Sequence, residues 1–376
     1  MRRRLPAMLN RFIDRLTKKS WSPADVDAMV GGARAAYLTY ATDPKTRDRA
    51  ASGGTTSALL ITALERGDID GAIVCRTFVE DGRVRAHFVL ARTRDEILAA
   101  RGSKYVETSF LKEVLPILRE SSGRFAVCGL PCDITNLKRW ESKNPEFADK
   151  VALRIAFLCG HNSRKELIDG VTCKLRREAG GGNLVDYNFR TGHWRGELEA
   201  KFDDGISVRK PFSYFSDYRN LYFFAERKCV ACIDHFGYDS DISLGDVWLY
   251  ALRDDPIKHT GALVRTDRAG ALVEAAIADG SVVATRISRE TILDGQARVA
   301  PVHYNVSARS RVGRLLGAKI PDSHHFEFGP MKWLSAFVGM ANMKWSESRL
   351  AGTVFRVPRP IIRSYLILKK ALESLS

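Results

Sequence analysis

The amino-acid sequence predicts an α/β protein with a mixed sheet core, a parallel βαβ unit, an irregular loop and helical termini. A βαβ pattern, a hairpin pattern and an apolar content of 45% predict this class. The βαβ pattern consists of two apolar segments, 125–130 and 151–158, with a helical segment at 133–142 between them. Apolar strands that hardly alternate with polar residues are typical of parallel neighbours buried on both faces.

A helix and a turn precede the sheet. Ser22 followed by Pro23 is a typical helix start, and we expect this helix to continue through residues 24–40. Residues 52–56 read Ser-Gly-Gly-Thr-Thr and open an apolar helix at about 57–66. Because a glycine-and-hydroxyl turn at a helix start can accept a phosphate, residues 52–56 are a candidate anion site.

A hairpin makes the predicted sheet mixed rather than purely parallel. Residues 71–76 and 84–91 have the composition of strands, and the Asp-Gly pair between them is a strong hairpin signal. The sequence Gly-Ser-Lys-Tyr follows at 102–105, and we expect a helix at 110–120 that leads into the βαβ unit.

The later part of the chain changes pattern twice. A long helix is expected to end near residue 179, and short strands begin at about residue 184. Residues 229–250 lack a regular pattern, as ligand loops commonly do. A smaller αβ segment then continues to about residue 301.

The charge of the chain is concentrated at its ends. Lysine and arginine outnumber aspartate and glutamate by 59 to 44; residues 1–20 and 331–376 each carry +6, whereas residues 21–330 carry +3. A nucleic-acid-binding core would carry a basic stripe, so we expect no nucleic-acid partner. Both ends have apolar residues at helical spacing, which favours either docking on the core or a helix at an anionic membrane surface.

The sequence lacks membrane-spanning and secretory features. Its longest strongly apolar stretch, 333–343, has 11 residues, and about 20 are needed to cross a bilayer. The N-terminus has neither the continuous apolar region nor the small-residue cleavage site of a signal peptide. We therefore expect a cytoplasmic protein, with peripheral contact at the inner face of the membrane through its basic ends.

The seven cysteines are interpreted as metal ligands where they cluster and as core residues where they stand alone. Cys132 and Cys159 follow the two parallel strands, so both are expected at the sheet edge where open α/β sheets bind ligands. Cys229 and Cys232 form a CxxC pair in the irregular loop. Four thiolates match a 4Fe–4S cluster, although a lone CxxC also fits structural zinc or a redox dithiol. The other three are expected in the apolar core: Cys75, Cys128 and Cys173.

Five segments carry a resemblance to a known family. In chain order they are SGGTTSALL at 52–60, GSKY at 102–105, GLPC at 129–132, FLC at 157–159 and KCVACIDHFGYDSDISLGDVW at 228–248. Together they resemble the beta subunit of coenzyme F420 hydrogenase/dehydrogenase and its relatives among chlorophyll-pathway reductases. The resemblance extends over residues 51–250.

The resemblance implies an iron–sulfur flavoprotein with FAD beside one 4Fe–4S cluster. Its ligands would be Cys132, Cys159, Cys229 and Cys232, which makes the irregular segment a cluster-binding loop. Larger members carry an N-terminal ferredoxin-like module with its own cysteines. Because residues 1–74 hold no cysteine, we expect no second cluster.

The same resemblance implies a set of flavin contacts. They are Ser52, Gly53, Gly54, Thr55, Thr56, Gly102, Ser103, Lys104, Tyr105, Asp241 and Asp246. Residues 52–56 would hold the diphosphate, and Lys104 would stabilise the anionic reduced ring. The alternatives are an ordinary glycine turn, a solvated lysine and turn-capping aspartates.

Lys104 and His161 are the predicted catalytic residues. His161 and His235 lie two or three residues beyond a candidate ligand cysteine, and either could donate a substrate proton near neutral pH. A non-catalytic polar role is the alternative for each histidine.

The predicted function is that of an oxidoreductase, which passes electrons between ferredoxin, or coenzyme F420, and an organic substrate through the cluster and FAD. Ferredoxin is preferred because small ferredoxins are generally acidic and a basic protein attracts them. The substrate is expected to be a small molecule or glycan-related, since similar sequences without the ferredoxin-like module are associated with cell-surface polysaccharide synthesis. The alternative is a non-enzymatic zinc-binding protein, attached to a membrane surface or nucleic acid by its basic tails.

These expectations divide the chain into four regions. They are a basic helical region at 1–50, a flavin-binding part of the core at 51–125, a cluster-bearing part at 126–300 and a basic tail at 301–376.

Overall fold

A computed structural model describes residues 20–193, 196–323 and 329–374 of the chain. The predicted basic N-terminal helix falls on residues outside these ranges. Up to residue 157 the elements are α1 (Pro23–Val30), β1 (Ala35–Ala41), α2 (Pro44–Arg47), α3 (Thr55–Glu65), β2 (Gly71–Glu80), β3 (Arg83–Ala91), α4 (Arg94–Ala99), α5 (Phe110–Glu120), β4 (Phe125–Gly129), α6 (Pro131–Glu141) and β5 (Val151–Phe157).

The remaining elements carry the second half of the chain. They are α7 (Lys165–Ala179), β6 (Leu184–Thr191), β7 (Glu197–Phe202), β8 (Ser207–Pro211), α8 (Ser213–Asn220), β9 (Ile242–Asp246), β10 (Thr260–Val264), α9 (Asp267–Ala278), β11 (Val282–Ile287), α10 (Arg289–Gly295), α11 (Ala300–Tyr304), α12 (Val306–Leu315), α13 (Pro330–Trp345) and α14 (Arg359–Ser374). Short 3-10 helices lie at Pro145–Lys150, Arg227–Ala231, Tyr250–Leu252 and Ala351–Arg356.

Eight strands form one mixed sheet in the order β11-β1-β10-β9-β5-β4-β2-β3. The pairs β2–β4, β4–β5 and β5–β9 are parallel, whereas the pairs at both margins are antiparallel. This confirms the predicted α/β class and the parallel βαβ unit. The carboxyl ends of β4, β5 and β9 consequently meet at one edge of the sheet. The regions expected at 51–125 and 126–300 both contribute strands to this sheet.

Helices cover both faces of this sheet. On one face α3 contributes Leu59, which belongs to the same buried cluster as Ala126 of β4. On the other face α6 contributes Leu137, which belongs to the cluster of Val127. Because successive residues of a strand point to opposite faces, the uniformly apolar β4 fills both layers at once.

The prediction of a helix over residues 24–40 is wrong in its second half. The helix α1 ends at Val30, and Gly31 leaves it with a φ of 73°. Residues 35–41 instead form β1, which pairs with β10 on one side and β11 on the other. Hydrogen bonds to two strands from the far end of the chain outweigh the local helical pattern.

The C-terminal helix α14 docks on the protein's own core. Ile362 and Leu366 are buried in the cluster that includes residues of α7 and α8. Arg363 and Arg359 form ion pairs with the buried Asp217 of α8, with N–O distances of 2.9 and 3.3 Å. The sequence left two alternatives for this segment, docking on the core and a helix at a membrane surface. The inner face of α14 docks on the core.

Other residues of α14 remain on the surface. Its outer side leaves three apolar side chains largely exposed: Ile361, Ile367 and Leu368. Across the described ranges, no helix combines the length and apolar character needed to cross a membrane.

Candidate active site

A cleft with a volume of about 240 Å³ opens at the carboxyl edge of the parallel strands. Its walls come from the ends of β4, β5 and β9, the start of α3 and the loop between α4 and α5. This edge is where open α/β sheets bind ligands, because the turns that leave parallel strands converge there.

The glycine-and-hydroxyl turn forms one wall of the cleft. Ser52, Gly54, Thr55 and Thr56 line it. Gly54 has a φ of 78° and precedes the first residue of α3, whose N-terminus has no side-chain cap. The N–H groups of the first turn therefore remain available to an anionic group, as the sequence pattern indicates.

Gly53 does not line the cleft. A Cβ atom at this position would lie 2.7 Å from the Thr39 carbonyl oxygen and 2.9 Å from that of Lys258. The Gly53 N–H donates to the Thr260 hydroxyl at 2.9 Å. Glycine is thus required by close packing against the chain's own backbone, and the expected flavin contact at Gly53 is not supported.

The loop at 102–105 forms the opposite wall, and all four of its residues line the cleft. The Lys104 ammonium donates to three carbonyl oxygens, those of Ala100, Arg101 and Gly102. Burial lowers the pKa of Lys104 to about 8. The side chain therefore still carries its charge at neutral pH, so Lys104 is a half-buried cation held by its own loop rather than a fully solvated lysine.

Arg219 is a second cation in the cleft wall, and sequence reasoning missed it. Its guanidinium lies 5.2 Å from the centre of the Tyr105 ring and donates to the His161 carbonyl. Among the described residues it forms no salt bridge, and its buried Nε has no hydrogen-bond partner. Only its position in an aromatic stretch, residues 214–224, could have drawn attention to it.

Asp246 and Asp241 lie at opposite ends of β9 and differ in their surroundings. Asp246 lines the cleft, and its carboxylate accepts two hydrogen bonds from Arg190, at 2.5 and 3.3 Å. Asp241 accepts from the Arg154 N–H at 2.7 Å and the Thr266 hydroxyl at 3.0 Å, outside the cleft lining. The expected cofactor contact of Asp241 is therefore not supported, because its carboxylate serves to join β9 to β5 and α9.

The four candidate ligand cysteines converge from three parts of the chain. Cys132 lies in the first turn of α6, Cys159 follows β5, and Cys229 and Cys232 belong to the loop at the 3-10 helix Arg227–Ala231. Burial raises the pKa of Cys159 well above its ordinary value, and the charges of the other three thiols raise it further. The Asn162 N–H, three residues after Cys159, donates to the Cys229 sulfur, which brings the end of β5 and the CxxC loop together.

The donor set fits an iron–sulfur cluster chemically. Burial raises the pKa of all four thiols, so a bound cationic metal centre is what would favour their thiolate forms. Within the described ranges, no group of three or more His, Cys, Asp or Glu side chains is arranged to hold a metal ion. A 4Fe–4S cluster spreads its four thiolates over four irons, which sets them farther apart than around one ion.

Backbone hydrogen bonds fix the cysteine-bearing segments. The Asn162 N–H donates to the Cys229 sulfur at 3.3 Å, the type of bond that tunes a cluster thiolate. The Cys159 N–H donates to the His235 carbonyl at 3.0 Å, which ties the strand end to the CxxC loop.

The other three cysteines have different environments. Cys128 is buried, as expected, and Cys75 is half-buried; both line the cleft. Cys173 is exposed on α7, so the expectation of a core position is wrong for this residue. The Arg177 guanidinium donates to the Cys173 sulfur at 3.3 Å, and both side chains lie on the solvent side of α7.

The two candidate proton donors are buried histidines. His161 stacks on Tyr222 with ring centres 4.5 Å apart, and its Nε2–H donates to the Arg219 carbonyl at 3.0 Å. Burial and the Arg219 charge hold the pKa of His161 well below its ordinary value, and burial lowers that of His235 to about 4. Neither ring is therefore in its imidazolium form near neutral pH, which does not support the expected role as an acid, although His161 does line the cleft.

Two family models match most of the sheet-forming chain. The model for the N-terminal part of the beta subunit of coenzyme F420 hydrogenase/dehydrogenase matches residues 36–116, and the model for its C-terminal part matches residues 122–290. The site residues discussed above lie within these two ranges.

Individual relatives are distant. The coenzyme F420 hydrogenase subunit beta of Methanosarcina barkeri is 26% identical over 248 residues, which cover 64% of this chain and 77% of that protein. An uncharacterized protein of Nostoc is 22% identical over 323 residues, 84% of this chain and 70% of its own length. A chain from the F420-reducing NiFe hydrogenase complex of Methanosarcina barkeri aligns with a TM-score of 0.60 at 20% identity, covering 81% of this chain and 100% of that chain. This last similarity shows a shared fold.

Proposed function

The chain belongs to the coenzyme F420 hydrogenase/dehydrogenase beta-subunit family, and we propose that it is an oxidoreductase that uses one 4Fe–4S cluster and FAD. One observation carries the proposal. Cys159 lines the same cleft as the candidate flavin contacts, and its backbone N–H donates to the loop that carries Cys229 and Cys232. When bound, the two groups would supply one-electron and two-electron transfer, and Cys159 would set them side by side.

The proposed cluster ligands are Cys132, Cys159, Cys229 and Cys232. The parallel pairing of β4 and β5 supports this assignment, because it brings the first two cysteines to one sheet edge. The Asn162 N–H that donates to Cys229 supports it further, since a hydrogen bond to sulfur stabilises a thiolate.

The proposed flavin site uses both walls of the cleft. The uncapped start of α3, with Thr55 and Thr56, would bind the diphosphate through backbone N–H groups and the helix dipole. Lys104 and Arg219 would place positive charge against the ring system. Because Lys104 retains its proton at neutral pH, its Nζ is also the proposed proton donor of the cleft.

Protein partners are the proposed source of electrons. The solved relative is a chain of a hydrogenase complex, which supports a partner protein for this chain as well. The net charge of +15 favours an acidic carrier such as ferredoxin, with coenzyme F420 as the alternative. We further propose a small-molecule or glycan-related substrate, in a cytoplasmic protein that contacts the membrane surface through the exposed side of α14.

Reduction of the purified protein distinguishes the two electron carriers. Anaerobically purified protein would be mixed with reduced ferredoxin or with reduced coenzyme F420, and bleaching of the flavin absorbance would be recorded. We expect ferredoxin to bleach it, with a rate that falls as salt rises because the attraction is electrostatic. Bleaching by neither carrier would contradict the proposed electron route, and a colourless zinc-containing protein would support the non-enzymatic alternative.

A further inference from the structure

Arg309 is a buried cation in α12, beyond the last residue matched by the family models. Its side chain is only 4% exposed. Burying an arginine costs free energy unless its N–H donors are hydrogen-bonded. The groups that accept from Arg309 therefore indicate which parts of the structure it connects.

Carbonyl oxygens satisfy the Arg309 guanidinium. Its Nε donates to the Val230 carbonyl at 2.7 Å, and its two terminal nitrogens donate to the carbonyls of Val302 and His303 at 2.5 and 2.6 Å. Val230 lies between Cys229 and Cys232, so one side chain joins the CxxC loop to the C-terminal helices. In the part of the chain that the structure describes, no carboxylate forms a salt bridge with Arg309.

The charge of Arg309 therefore acts on the cysteine pair. Its Nε donates to the carbonyl of the residue next to Cys229, so the guanidinium lies beside the loop that carries both cysteines. A 4Fe–4S cluster with four thiolates is anionic, and reduction adds one more negative charge. A fixed buried cation stabilises the reduced form more than the oxidised form.

We propose that Arg309 is a positioning residue for the cluster, which holds the CxxC loop in place and raises the reduction potential of the bound 4Fe–4S group. This inference rests on the proposed function, because it requires that the four cysteines hold a cluster. It extends that function to the C-terminal segment, since residues after 290 would set the potential at which the protein accepts electrons.

The test compares R309Q and R309K with R311Q, an exposed arginine on the same helix whose loss removes the same charge. Each protein would be reconstituted anaerobically and its cluster midpoint potential measured by redox titration with electron paramagnetic resonance detection. We expect R309Q to make reduction about tenfold less favourable, a shift of about 59 mV to more negative potential for one electron. R309K keeps the charge and should stay closer to the wild-type potential, and R311Q should not change it.

The outcomes separate this inference from the proposed function. A wild-type protein without a 4Fe–4S signal would overturn the proposed function itself. If the wild type contains the cluster, and R309Q keeps both the wild-type potential and the full iron content, only the proposed role of Arg309 is overturned. If R309Q fails to fold, R309K provides the test. A retained cluster with a potential near that of the wild type supports the role of the charge. A shift of about 59 mV, which is a tenfold change in the reduction equilibrium, contradicts it.

Discussion

The Arg190 guanidinium donates two hydrogen bonds to the Asp246 carboxylate and thereby joins a second, three-stranded sheet, β6-β7-β8, to the carboxyl end of β9. Arg190 is 2% exposed in its side chain, and it also donates to the Ala51 carbonyl at 2.7 Å beside the glycine turn. The pair therefore ties two segments of the cleft wall, the glycine turn and the end of β9, to the sheet formed by β6, β7 and β8.

Removing Asp246 leaves a buried charge without its partner. We expect D246A to lower the free energy of unfolding by about 3 kcal/mol, because breaking a buried ion pair is far more costly than breaking an exposed one. Urea unfolding of the two proteins measures this difference. D186A, which breaks the exposed pair of Asp186 and Lys201, is the control and should cost about 1 kcal/mol or less. Equal losses in both variants would show that the Arg190 pair does not support the cleft.

Gly53 is expected to support folding rather than flavin contact. A methyl group there would overlap two backbone carbonyl oxygens, so G53A should destabilise the protein without bound flavin by about 1–3 kcal/mol. Thermal unfolding of the flavin-free protein measures this loss. Gly352 has no atom within 4 Å of a built Cβ, and G352A is the matched control with no expected change. A G53A protein of normal stability that binds flavin weakly would restore the direct-contact interpretation.

Lys104 is expected to make stability depend on pH. Its folded-state pKa of about 8 lies below the ordinary value of 10.5, so the unfolded chain binds more protons between these two values. The cost of burying the charge is present below pH 8 and disappears by pH 10.5, and stability relative to K104M should rise over that interval by on the order of 3 kcal/mol. Urea unfolding of both flavin-free proteins at a series of pH values gives the difference. A difference independent of pH would show that the folded structure does not lower the pKa of Lys104.

The exposed side of α14 is expected to bind anionic membranes. Ile361 and Leu368 are 58% and 60% exposed, and basic residues are frequent in this part of the chain. The double variant I361E/L368E should pellet with anionic vesicles at least roughly tenfold less than the wild type, whereas L315E, at a site on α12 that is 69% exposed, should not. Binding should weaken as salt rises. Negligible pelleting of the wild type with both anionic and neutral vesicles would contradict membrane contact.

The elements predicted correctly are those whose signals are local. The strands and helix of the βαβ unit match the observed β4, α6 and β5 within two residues, because uniform apolar runs and a helical period are properties of short segments. The hairpin of β2 and β3 follows in the same way, since Asp81 and Gly82 both have positive φ, which an Asp-Gly turn favours. Residues 35–41 were misassigned because their strand depends on pairing with residues more than 200 positions away.

The candidate site could be predicted only where one segment carries its own motif. The turn at 52–56, the loop at 102–105 and the cysteine pair were found in this way. Arg190 and Arg219 were not, since each arrives from a segment without a motif and gains its place through the packing of two sheets and an aromatic cluster. Asp241 and Asp246 could not be told apart, because the segment lacks the pattern that would have revealed a strand between them.

Cys159 is the residue that the proposed cluster and the flavin cleft share. The measurement is the iron, sulfide and flavin content of anaerobically purified wild type, C159A and, as control, C173A, whose cysteine is exposed on α7. We expect four irons and four sulfides for each FAD in the wild type and C173A, and loss of more than half of the iron in C159A. Full iron content in C159A, or zinc without flavin in the wild type, would contradict the proposal that Cys159 is a cluster ligand beside a flavin.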